Sequence, residues 1–238
     1  MTDRGGASGA EIHHSHRDVT GGWLRPSVFG VMDGLVSNTA LIAGVAAGGV
    51  SDDTVVLAGL AGLVAGALSM GTGEYTSVAS QSELARAEIE IEKREIARVP
   101  DAEQAELAAL YRSRGVDEKT AREVARQLSS NPEQALRVHA REELGVDLDD
   151  LPSPSTAAAS SFAAFSVGAL VPVLPFLLGA TSLALAVGLA LLALFLSGAL
   201  VSRFTSRGAL YSGTRQLLLG GGATAATYLI GSAVGAGV

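Results

Sequence analysis

Five stretches of this chain run apolar for about twenty residues each, the length needed to cross a hydrocarbon core about 30 Å thick. They cover residues 27–50, 54–79, 156–179, 182–202 and 217–238. A polar, strongly charged block separates the second from the third. The pattern predicts five membrane-spanning helices interrupted by one water-exposed insert. Pro172 and Pro175 fall inside the third stretch. They should free backbone carbonyls there, which a spanning helix tolerates only where neighbours or water satisfy them.

The insert also reads as helical. Residues 75–97 continue the second span without a breaker, so that helix should project beyond the membrane. Pro100 ends it. Asp101 is a candidate N-cap for a helix reaching Arg114, with Gly115 at its end. Asp117 should cap a second helix to about Ser130. Asn131 and Pro132 fit Ncap and N1 of a third, ending near Gly145. Residues 146–155, VDLDDLPSPS, form the return linker. The expected fold is an all-α membrane protein: five transmembrane helices with a helical, water-exposed domain inserted between helices 2 and 3. Residues 1–26 are a polar tail expected to be mobile, 27–80 the first two spans, 81–153 the inserted domain, and 154–238 the last three spans.

Composition supports a membrane class. Charged residues make up 17% of the chain and mean hydropathy is +0.35, against about 25% charged residues in soluble domains. Of the 41 charges, 28 lie between Glu83 and Asp150, 17 acidic and 11 basic. The net charge of −7 gives no sign of nucleic-acid binding. There are no cysteines, which excludes disulfides and thiolate metal sites. The N-terminal segment lacks the apolar core of a secretory signal. Arg4, Arg17 and Arg25 precede the first span, the insert is rich in basic residues, and Arg203, Arg207 and Arg215 lie between the fourth and fifth spans. The other connections carry no Lys or Arg. Basic loops stay in the cytosol, so the N-terminus and the insert should be inside and the C-terminus outside. The excess of Arg over Lys fits a bacterial plasma membrane.

Ionisable groups inside spans are expensive and point to function. Asp33 lies in the first span and Glu74 in the second. Antiparallel spans joined by a short outer loop should bring them to similar depths. Met70 is one turn from Glu74 on the same face, and Asn38 lies five residues beyond Asp33. Two carboxylates and a thioether suit a divalent transition ion better than Ca²⁺ or Mg²⁺. A Glu74 that snorkels to the interface and a Met70 that fills space give the same sequence.

The insert carries paired ligands at helical spacing: Glu92 with Glu95, Glu103 with Glu106, and His139 with Glu143. Facing helices with paired Glu hold iron and manganese in bundle proteins. An acidic solvated surface shows the same spacing. The Gly44/Gly48, Gly62/Gly66 and Gly231/Gly235 pairs fit close helix packing, either within one bundle or across a dimer. Clustered His at 13–16 can bind metal, though a polar tail without that role reads the same.

The segments VMDGLVSNTALIAG, GLVAGALSMGTGEYTSVASQSE, EKREIARVPDAEQAE and LPSPSTAAASSFAAFSVGALVPVLPFLL together resemble the vacuolar iron transporter family, from about Asp18 to the C-terminus. The resemblance implies a five-span homodimer that exports Fe²⁺, and often Mn²⁺, from the cytosol in exchange for protons. It implies metal ligands at Glu92, Glu95, Glu103, Glu106 and Glu143. His139 and Ala140 stand where some members have two methionines, so His139 is expected to replace a thioether. It also implies a translocation site of Asp33 and Met70, with Glu74 matching the GEY variant. Gly62 stands where some members have a Glu. No enzymatic activity and no cofactor are expected; the metal is cargo. The expected partners are divalent metal ions, protons, the lipid membrane and a second copy of the chain. A membrane-anchored metal store or sensor is the alternative, and an oxygen-consuming ferroxidase is disfavoured because His139 is the only histidine of the insert and no Glu-x-x-His motif occurs there.

Overall fold

The computed structural model describes residues 22–204 and 206–237. The His13–His16 cluster and the rest of residues 1–21 lie outside the described residues. Eight α-helices and one short 3₁₀ turn make up the regular structure, with no strand among the described residues. They are α1 (Leu24–Ala47), α2 (Asp52–Arg98), α3 (Pro100–Ser113), α4 (Glu118–Leu128), α5 (Pro132–Glu142), α6 (Pro154–Leu177), α7 (Leu183–Val201) and α8 (Ala209–Gly235). Helices α1, α2, α6, α7 and α8 are long and apolar enough to cross a membrane.

Local chemistry explains most of the boundaries. Ser51 accepts a hydrogen bond from the Thr54 amide and starts α2, with Asp52 and Asp53 in the first turn, where the helix dipole favours anions. With 47 residues, α2 is about 70 Å long at 1.5 Å per residue. That is more than twice the membrane core, so its second half must stand outside. Pro100 stops it, as the sequence predicts. The expected Asp101 cap does not form. Pro100 is already helical, Val99 is the N-cap without a side-chain bond, and Asp101 sits in the first turn. Asp117, Asn131 and Ser153 cap α4, α5 and α6 through the amides of Thr120, Glu133 and Thr156. Gly115 and Gly145, just beyond α3 and α5, have φ of 95° and 65°, the left-handed conformation that ends helices at little cost for glycine. The last span begins at Ala209, two turns earlier than the apolar pattern shows, because Tyr211, Ser212 and Arg215 mask its start.

The helices alternate in direction: α1, α6 and α8 run one way, α2 and α7 the other. Gly30 and Gly34 of α1 meet Ser161 and Phe165 of α6, in parallel register. Gly198 of α7 meets Ser212 and Gly213 of α8 in antiparallel register. The start of α1, the insert and the 202–208 loop therefore share one end of the bundle. Helix α6 is the central element and packs extensively on both α1 and α2. It continues through Pro172 and Pro175, both buried. The glycine pairs resolve as packing within the chain. A Cβ on Gly231 would strike the Gly44 carbonyl, and one on Gly235 would lie 2.7 Å from the Gly48 carbonyl oxygen. Gly62 faces Asn38 and Leu41, and Gly66 faces Phe165.

The insert has its own small core, Leu107, Ala108 and Ala125, with Tyr111, Leu128 and Val138 packed around it. Arg114 of α3 bonds Glu142 at the end of α5. Ser82 of α2 donates to the Pro152 carbonyl at 3.0 Å, tying the return linker to the long helix.

Candidate functional site

Two polar sites stand out, one between the spans and one in the insert. The first is a cavity of about 800 Å³ on one side of the α1–α2 pair, backed by Phe165 of α6. Its wall on α1 runs from Leu24 to Leu41, about 26 Å of helix axis. Asp33, Met70 and Glu74 all line it, together with Arg25, Ser37, Asn38 and Ser69. It is therefore a polar groove within otherwise apolar spans.

The structure orders these groups by depth. Asn38 meets Gly59 and Gly62, Leu41 meets Gly62, and Ile42 meets Gly59. This antiparallel register places Met70 about one turn from Asp33 toward the insert end, and Glu74 about two turns, roughly 10 Å. Asp33 and Glu74 thus share the cavity but not the depth that the sequence suggests. Glu74 stands at the mouth, level with the first turns of α1, where Arg25 also lines the wall. Asn38 lies on the other side of Asp33, about 7.5 Å further in. The sequence notes Asn38 only by position. Its signal is an amide inside an apolar run, and the structure buries it to 2% exposure.

The second site lies where α2, α3 and α5 meet. Glu92, Glu103 and His139 are all buried, and their ligand atoms lie within 4.8 Å of one another. His139 Nδ1 is 2.9 Å from a Glu92 oxygen, 2.8 Å from a Glu143 oxygen and 3.9 Å from a Glu103 oxygen. Yet both His139 nitrogens, Glu92 Oε1 and Glu143 Oε1 are buried without a hydrogen-bond partner. Buried polar groups are rarely left so. Ligands about 2.1 Å from an octahedral ion stand about 3.0 Å apart along an edge, which matches the two shorter separations. The atoms converge as lone pairs would around an ion.

Electrostatics agree. Burial, followed by the charges of Glu143, Glu103, Glu95 and Glu106, pushes Glu92 up to about 7. Burial and then Glu106 raise Glu103, against the opposing pull of His139. Burial also raises Glu143, with Glu106 and Glu103 adding to it and His139 opposing. All six insert residues singled out from the sequence are thus electrostatically connected. Glu95 and Glu106 differ from the rest in being exposed at the rim.

These features define a polytopic integral membrane protein with a polar cavity within its spans and a carboxylate–imidazole cluster outside them. A model of the VIT family matches residues 24–232. A vacuolar iron transporter from Acanthamoeba castellanii is 42% identical over 217 residues, which cover 88% of this chain and 74% of that protein. Vacuolar iron transporter 1 of Oryza sativa subsp. japonica is 33% identical, over 96% of this chain and 92% of its own length. Vacuolar iron transporter 1 of Arabidopsis thaliana is 32% identical, over 93% and 90%. The chain belongs to the VIT family.

Proposed function

We propose that this protein moves Fe²⁺, and Mn²⁺ as a second substrate, out of the cytosol in exchange for protons. The observation that carries this reading is the cavity along α1 and α2, which sets Asp33 and Met70 at adjacent levels deep within the spans. An anchor that only held a soluble metal store has no need for a carboxylate there, where it is costly. The names of the relatives add the iron. Arg25, the basic residues of the insert, and Arg203, Arg207 and Arg215 gather at one end of the bundle, and the positive-inside rule makes that end cytosolic. The insert then faces the metal source, and Glu92, Glu95, Glu103, Glu106, His139 and Glu143 gather ions from it. Carboxylates with one borderline imidazole accept both ions. A second copy of the chain, laid against the open side of the cavity, closes it from lipid.

The exchange follows from competition for the same oxygens. A metal binds the Asp33 carboxylate only in its ionised form, and a proton arriving from the outer side removes that affinity. Met70 supplies a soft contact that carries no charge, so the competition between metal and proton falls on the Asp33 carboxylate.

Fe²⁺ flux into proteoliposomes, with and without a proton gradient, tests this in the wild type and Asp33→Ala. We expect gradient-dependent flux that is abolished in Asp33→Ala, with metal binding to the insert retained. Metal binding without flux in the wild type under either condition would leave the anchored store as the surviving reading. Normal flux in Asp33→Ala would remove Asp33 from the path.

A further inference from the structure

The side chain of Asn38 is held in one orientation. Its Nδ2 donates to the Gly59 carbonyl at 3.1 Å and to the Ala169 carbonyl at 2.6 Å. Both partners are acceptors only, so the amide cannot flip without setting oxygen against oxygen. Its Oδ1 is therefore fixed as well, and it is buried with no partner. It faces Gly62. A Cβ on that residue would lie 2.7 Å from Oδ1 and 2.5 Å from Leu41 Cδ2. Asn38, Leu41 and Gly62 all line the cavity that contains Asp33 and Met70.

Clamping three helices together would explain the two donated bonds, and it needs only the nitrogen. It leaves the oxygen unexplained. A fixed, neutral, unpartnered oxygen at the cavity wall becomes a ligand position for a cation when the Leu41 tip, which fills the space over Gly62, swings aside. It lies about 7.5 Å beyond Asp33 along α1. The rise sets Asn38 and Asp33 at different levels of α1.

We infer that Asn38 Oδ1 forms a second, deeper station for the divalent cation, opened by a swing of the Leu41 tip that covers Gly62 and reached after the Asp33–Met70 level. This rests on the transport reading above. A neutral amide oxygen binds a hard or borderline ion without adding charge. An ion can thus leave the carboxylate toward the outer side without meeting another titrating group that would hold it. Harder ions gain more from such an oxygen, so the station favours Mn²⁺ over softer ions.

Two variants separate the station from the clamp. Asn38→Ala removes both the donors and the oxygen. Gly62→Ala retains the donors and sets a methyl group against the oxygen; the Leu41 tip swings aside, and the amide must give by a few tenths of an ångström while its two donated bonds stay in range. Proteoliposome flux of Fe²⁺ and of Mn²⁺ would be measured over a range of concentrations, with the wild type and Asp33→Ala alongside. Both variants should lower maximal flux at least tenfold with half-saturating metal within about twofold of wild type. Both should shift the Mn²⁺ to Fe²⁺ ratio in the same direction. Gly62→Ala should remain folded and monodisperse, because only the Leu41 tip and the Asn38 amide have to shift. If Gly62→Ala carries both ions like wild type, or only Asn38→Ala loses flux, the station is refuted and Asn38 is a clamp. That result leaves transport standing as long as Asp33→Ala abolishes flux. An inert wild type overturns both readings.

Discussion

The buried carboxylate at Glu92 should make the metal-free insert less stable than it need be. Its folded-state value of about 7 stands above the ordinary 4.5, so folding favours the protonated form. The stability this contributes is complete below 4.5 and is lost as the pH rises through about 7. At 1.36 kcal/mol per unit, the loss by pH 8 is at most about 3 kcal/mol, and partial relaxation brings it to about 1–2. Glu92→Gln keeps the shape and removes the charge. The variant should therefore be more stable than wild type at pH 8, by about 1–2 kcal/mol, and equal to it below about pH 4.5. Hydrogen exchange on the full-length protein in detergent reads this locally. Amides of α5 around His139 and Ala140 should be about 5- to 30-fold better protected in metal-free Glu92→Gln at pH 8. Mn²⁺ should reverse the order, because wild type has one more anionic ligand and gains more from binding. Equal protection at pH 8, or a variant that binds Mn²⁺ as tightly as wild type, would refute the placement of Glu92 at the centre of a metal cluster.

Two further outcomes concern the scaffold. Leu107 is fully buried in the small core of the insert, and Leu107→Ala should cost about 2–5 kcal/mol there. Metal binding by the insert should drop while the spans keep their thermal transition; unchanged Mn²⁺ titration would contradict the insert core. Gly168→Ala should be severe, because the new Cβ would strike the Val31 carbonyl and lie 3.0 Å from the Leu35 amide nitrogen. Those atoms are backbone and cannot swing aside, so α1 and α6 must separate. Loss of the monodisperse peak in detergent chromatography is expected, and a wild-type profile would mean that the two helices are less tightly joined.

Much of this architecture was legible because the bilayer leaves so few options. Apolar length gave the five spans, and the prolines and cap residues gave the insert helices to within about three residues, the last ending at Glu142 rather than near Gly145. The failures have physical causes. The start of α8 was hidden because its first two turns carry polar residues near the membrane end, where no hydropathy signal exists. Pro100 and Asp101 compete as start signals, and a proline at N1 needs no side-chain cap. Spacing paired the insert ligands along each helix, yet only the tertiary fold brings His139 between Glu92 and Glu143. The glycine pairs could not reveal whether their partner was the same chain or another. Depth in the cavity was the subtlest point. Counting residues from span ends set Asp33 beside Glu74, whereas the helix contacts through Asn38, Leu41 and Ile42 slide the pair by two turns.

Helix α2 joins the two sites and also limits how they can cooperate. Glu74 at the cavity mouth and Glu92 in the cluster are 18 residues apart. That is five full turns, so both project from one face of the helix, about 27 Å apart along its axis. Val78, Ser82, Ala85 and Ile89 fill the face between them, half-buried or buried, and offer no carboxylate. An ion cannot pass from one coordination shell to the other by direct exchange over that distance. With α2 unbroken, the gap is fixed. Any coupling must run through release into water near the helix, where the exposed Glu83, Glu88 and Glu90 hold cations within a screening length of about 8 Å. On the transport reading proposed above, the cluster would serve as a local reservoir that raises the metal concentration at the mouth, with the selective steps left to the residues along α1.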